Sequence, residues 1–167
     1  DPRPSRPARA EPLIRAITLY RAGKLTEAEA ILRRLVQRKD APADAALILA
    51  QVLMDQQKSE QAAFELQKLI RSRPGDAKPW LLLGKVWMGR GDYTRSLGIL
   101  DEAAATVPES AEILISRGIV CVQLGRLVEA EQSLRRAREP KPRRVLAVRG
   151  AGAAGSGGPR GRGGRGY

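Results

Sequence analysis

Apolar residues recur along this chain at intervals of three and four, in short stretches interrupted by glycine or polar residues. Between residues 77 and 110, Trp80, Leu83, Gly84 and Trp87 precede Gly91, while Tyr93, Ser96, Leu97 and Leu100 follow it. Residues so spaced share one face of an α-helix, so the segment predicts two helices joined by a tight turn. The pattern then repeats without insertion or deletion every 34 residues, giving units 9–42, 43–76, 77–110 and 111–142. A fixed period of that size marks a repeat architecture.

Laid in register, the units share their small residues. The eighth position holds Ala16, Ala50, Gly84 and Gly118, and the twentieth holds Ala28, Ala62, Ser96 and Ala130. Small side chains at both places let two antiparallel helices approach closely. The twenty-fourth position is Leu32, Leu66, Leu100 and Leu134, which fills the space beside them. The fifteenth reads Gly23, Gln57, Gly91 and Gly125, and glycine there closes the first helix in the left-handed conformation. Gln57 is expected to strain its turn. Pro74, Pro108 and Pro142 end the second helices, and Asp40 stands at their place in the first unit.

These columns resemble the tetratricopeptide repeat family, whose signature runs Trp, Leu, Gly and an aromatic, then Gly-x-Tyr, Ala, Phe, Ala and Pro. The third unit carries it best, with Trp80, Leu83, Gly84, Trp87, Gly91, Tyr93, Leu100, Ala103 and Pro108. The fourth unit puts Arg117 at the leucine column and Cys121 at the aromatic one. In the first, Pro12, Arg15, Leu35 and Asp40 occupy signature columns, so its first helix is expected to be irregular. The resemblance implies an all-α, right-handed superhelical solenoid of four antiparallel helix pairs with disordered termini.

In that family the first helices of successive repeats line a concave groove that receives peptides or helices. The corresponding positions here are Leu13, Ile14, Ile17, Tyr20 and Arg21; Leu47, Ile48, Gln51, Met54 and Asp55; Leu81, Leu82, Lys85, Met88 and Gly89; and Ile115, Ser116, Ile119, Val122 and Gln123. Most are apolar, and each is open to two readings, groove wall or core. Methionines adapt to varied ligands. The implied ligand is an amphipathic helix or apolar peptide, positioned at its edges by Arg21, Asp44, Asp55, Lys78, Lys85 and Glu112. One family subtype grips a chaperone's terminal carboxylate with Lys, Asn and Arg. The matching positions here are Leu13, Ile17, Ile48, Lys78 and Leu82, so only Lys78 survives and that role is disfavoured.

Catalysis finds no footing in this sequence. There is no histidine, which removes the commonest general base and metal ligand, and the carboxylates fall singly on expected solvent faces. The glycine-rich run from Gly150 to Gly166 follows no strand and has no Gly-Lys-Ser/Thr ending to cradle a phosphate. Cys121 has no cysteine to pair with and reads as a small buried hydrophobe. The expectation is a chain that is not an enzyme and needs no cofactor or metal.

Charge redraws the boundaries. Residues 1–10 carry three Arg against one Asp, and 143–167 carry six Arg and no acid, leaving +4 of the net +12 for the repeats. Residues 1–8 are therefore expected to be a flexible basic segment, and 143–167 an Arg/Gly-rich tail with at most a short helix at 143–149. The tail resembles an arginine-glycine RNA-binding segment in which Arg143, Arg144, Arg160, Arg162 and Arg165 would meet phosphates and bases. An extension without function has the same composition, and both readings stand. Self-association through an uncapped C-terminal end is a further expectation. No apolar run is long enough to span a bilayer, and the expected location is cytoplasmic, with periplasmic or tethered display as the alternative. Such repeats also precede transferase domains or serve secretion and assembly proteins, where this chain would be a module that presents substrates.

Overall fold

The computed structural model describes residues 6–140, with side chains described from Ala10 onward. Eight helices follow one another among these residues: α1 (Arg6–Arg21), α2 (Leu25–Val36), α3 (Ala43–Asp55), α4 (Ser59–Ser72), α5 (Ala77–Gly89), α6 (Tyr93–Thr106), α7 (Ala111–Gln123) and α8 (Leu127–Arg138). From α4 onward, each helix starts 34 residues after its counterpart in the preceding unit. The first unit departs from this frame. α1 begins at Arg6, so it takes in the last residues of the segment 1–8 expected to be flexible, and it runs through Pro12 without a break. The expected irregularity there is corrected: the helix continues past the ring, although proline has no N–H to give to the preceding turn.

Within a pair, the turn is the same four times. Gly23 N–H donates to Tyr20 O and Lys24 N–H to Leu19 O, and the same two bonds recur at Gln57 and Lys58, Gly91 and Asp92, and Gly125 and Arg126. This is the Schellman closure, which satisfies the last carbonyls of the first helix. The residue it turns on has φ 76° at Gly23, 74° at Gly91 and 72° at Gly125, and 62° at Gln57. Gln57 thus holds a left-handed backbone with a Cβ, the strain that its column foretells.

The small-residue columns become contacts. Ala16, Ala50, Ala28 and Ala62 are wholly buried, and so is Ser96, whose hydroxyl donates to Gly84 O at 2.9 Å. A Cβ on Gly84 would stand 3.1 Å from Leu100 Cδ2, so bare backbone is what admits that leucine. Leu32, Leu66 and Leu100 are 0% exposed, but Leu134 in the same column is 38% exposed, because among the described residues no further helix packs over it. Trp80 and Trp87 are buried; the Trp80 indole donates to Pro74 O at 2.9 Å, and Arg95 lies 4.1 Å from the Trp87 ring centroid. Cys121 is buried in the cluster formed by α6, α7 and α8, and burial pushes its thiol pKa up.

Each junction between pairs carries its own ion pair. Glu29, buried on α2, accepts from Arg33 Nε at 2.7 Å and from Lys58 Nζ at 2.8 Å across the first junction. Arg90 reaches Glu60 at 2.8 Å across the second. Across the third, Arg117 Nε donates to Asp101 Oδ1 at 2.5 Å, while its Nη2 lies 3.5 Å from Glu129 and its Nη1 reaches the Ser133 hydroxyl. Arginine in a leucine column is therefore satisfied by polar groups drawn from both neighbouring helices.

Candidate functional site

First helices pack closely along the stack, α1 on α3, α3 on α5 and α5 on α7, whereas the backbones of successive second helices stand farther apart, with side chains such as Arg33 of α2 and Gln61 of α4 bridging them. The second helices therefore splay on the outside of the curve and the first helices line its inner wall. A groove of about 660 Å3 opens on that wall, floored by α3, α5 and α7. Leu47, Ile48, Leu81, Leu82 and Met88 supply its apolar surface, Gln51 and Ser116 its neutral polar groups, and Lys78, Lys85 and Glu112 its charges. Gly84 and Leu100 also reach it, a pair that sequence reasoning gave to packing alone.

None of the groove positions expected from the sequence is fully buried. Leu13, Tyr20, Leu47, Ile48, Met54, Leu81 and Leu82 rest partly buried on the main core, and Met88 rests on the second cluster, so these side chains are packed on one side and open on the other. Lys78 and Lys85 are exposed, stand seven residues apart on α5, and take part in no ion pair among the described residues. That spacing sets them two turns apart on one helix face, flanking Leu81 and Leu82.

The remaining expected residues lie outside this groove. Tyr20 donates its hydroxyl to Asp55 Oδ2 at 2.7 Å and Gln51 Nε2 donates to Asp55 Oδ1 at 3.2 Å, which ties α1 to α3. The hydrogen bond to Asp55 is the main cause that raises the Tyr20 pKa, with burial adding to it. Arg21 and Gln123 are exposed at helix ends, and Ile17 is half-buried on α1. Ile14, at 61% exposure, stands apart on α1, and Ile115, Ile119 and Val122 form an exposed row on α7. Met54 packs on the core. Phe64, exposed on α4 with Lys68 Nζ 5.5 Å from its ring centroid, sits on the outer side, where no column pointed to it. Arg143, Arg144, Arg160, Arg162 and Arg165 lie outside the described residues, as does the segment 143–149.

With helix pairs, inner wall and small-residue columns in place, sequence comparison decides the family: tetratricopeptide repeat models match residues 19–86 and 81–144. The chain belongs to the tetratricopeptide repeat family. Comparison with curated proteins gives no match. Among solved structures, this tetratricopeptide repeat chain is similar to MamA, with 20% identity, TM-score 0.64, and coverage of 77% of this chain and 75% of that one. It is also similar to a thermophilic tetratricopeptide repeat protein from Thermus thermophilus, with 22% identity, TM-score 0.59, and coverage of 77% and 72%. A tetratricopeptide repeat protein from Parabacteroides merdae aligns at 18% identity and TM-score 0.65 over 77% of this chain and 51% of that one. At these identities the likeness is one of fold. Among the described residues, no helix is long and apolar enough to cross a membrane.

Proposed function

We propose that this tetratricopeptide repeat chain is a non-catalytic interaction scaffold whose inner groove holds an amphipathic helix or apolar peptide of a partner protein. The observation that carries the reading is the half-exposed apolar floor formed by Leu47, Ile48, Leu81, Leu82 and Met88 between Lys78 and Lys85, which have no ion-pair partner among the described residues. A surface of that kind gains from covering its apolar atoms and is rimmed by groups that select orientation. Leu13, Ile14, Ile17, Tyr20, Arg21, Met54, Asp55, Ile115, Ile119 and Gln123 extend the same wall toward its ends.

Capture of a partner from native extract tests it. Ile48→Asp and Leu81→Asp should each lower capture about tenfold or more while helicity and melting change little, since central interface anchors dominate affinity. A collapsed fold would assign both residues to the core. Lys85→Glu, at an exposed site that cannot unfold the protein, provides the second reading, and unchanged capture by all three variants refutes the groove.

A further inference from the structure

A second cavity, of about 520 Å3, lies at the other side of the first helix pair, away from the groove. Pro12 and Arg15 of α1 line it with Ile31, Arg34 and Leu35 of α2 and with Arg38 just beyond. Its counterpart is found within the stack. One of about 490 Å3 is lined by Leu114 and Arg117 of α7 and by Ser133 and Arg136 of α8, which stand three units later than Pro12, Arg15, Ile31 and Arg34. There the opposite wall is α6, which contributes Asp101, Ala104 and Ala105 and then Pro108.

The two arginines of this column differ in one respect. Arg117 receives the carboxylate of Asp101 from the neighbouring helix. Arg15 is exposed and has no ion pair among the described residues, and the carboxylate on its own rim, Glu11, lies outside ion-pair range. Arg34 has none there either, while Arg38 is held by Asp40 at 3.2 Å. The apolar floor of Pro12, Ile31 and Leu35 thus lies beneath a cationic rim that lacks its acid. An exposed guanidinium beside apolar surface complements a carboxylate on an apolar helix face.

We infer that this outer face of α1 and α2 docks a partner helix in the way α6 packs on α7 and faces α8 across the cavity between them, with an Asp or Glu set against Arg15 and alanine-sized residues three and four positions later against Pro12, Ile31 and Leu35. The ligand class is an acidic helix with a small-residue face, distinct from the ligand of the groove. α6 itself displays that face as Asp101, Ala104 and Ala105.

The probe is a fluorescent peptide of residues 93–108, held helical by a lactam between positions 99 and 103 on the side away from Asp101, titrated with the full chain by anisotropy. Binding should weaken about tenfold for Arg15→Glu, and a peptide carrying Asp101→Lys should recover affinity for that variant, as a close charge pair predicts. Affinity should also fall with added salt. Unaltered binding to Arg15→Glu, no binding at millimolar chain, or equal binding of a scrambled peptide of the same charge overturns the proposal. Ile48→Asp should leave binding intact; loss there with none at Arg15→Glu places the peptide in the groove and overturns it as well.

Discussion

Replacing Gln57 with glycine isolates the strain in the second turn. Its neighbours in the column, Gly23, Gly91 and Gly125, take the same left-handed backbone with no Cβ to oppose it, and all four turns make the same pair of hydrogen bonds. Geometry is therefore held constant and only the residue differs. A side chain in this region raises the folded state by about 1–2 kcal/mol. Glycine in turn loosens the unfolded chain, which returns about 0.4–1 kcal/mol. The side chain of Gln57 is exposed and gives up little packing. Gln57→Gly should then stabilise by about 0.5–1 kcal/mol, or about 1–4 °C in a chain of this size. Repeat arrays can open unit by unit, so thermal unfolding by circular dichroism should be paired with amide exchange at Lys58, whose N–H donates to Leu53 O at 2.8 Å across this turn. Protection there should rise, and the reverse change, Gly91→Gln, should lower the midpoint. A Gln57→Gly protein that melts at or below the parent temperature, with Lys58 exchange unchanged, refutes the strain.

Glu29 offers a test of sign. Burial pushes its carboxyl pKa up, but the hydrogen bonds and charges of Lys58 and Arg33 outweigh that and hold it below the ordinary glutamate value. A carboxyl lowered on folding stabilises above its unfolded value and loses that contribution as the pH falls through the folded one. Glu29→Gln should thus destabilise at neutral pH and become nearly neutral once the pH has fallen below the folded value, read as the gap between urea midpoints; a gap that persists in acid refutes the assignment. For Cys121, wholly buried and with a raised thiol pKa, labelling by an aromatic disulfide in mild base should track unfolding. Reaction of the native protein as fast as in denaturant would contradict its burial.

The starts of α3, α5 and α7 at Ala43, Ala77 and Ala111 were legible because the 34-residue period ties them to columns that cannot shift without burying the wrong face. The left-handed turn at Gln57 was legible for the same reason. The repeat columns assign residues to the first helices but not to one shared cavity, since that depends on how far each helix is displaced along its neighbour. Tyr20 and Asp55 were counted as groove, yet they bind each other across α1 and α3. Arg15 and Arg117 looked alike as departures from leucine, and only the packing of α6 separates the arginine that has its acid from the one that has none among the described residues. Pro12 argued against a regular helix by local rules, which tertiary contacts override.

The junction ion pairs give the stack an order. By backbone alone the units are interchangeable, since excising 43–76 would join Pro42 to Ala77 in phase. Lys58, however, occupies the place that Asp92 holds one unit later, so the excision would set Asp92 against Glu29 and carboxylate against carboxylate. Arg90 would meet Thr26 in place of Glu60. Three junctions written with three different pairs work as an address, under which a repeat recognises its proper neighbour and a shuffled array betrays itself by repulsion rather than by shape.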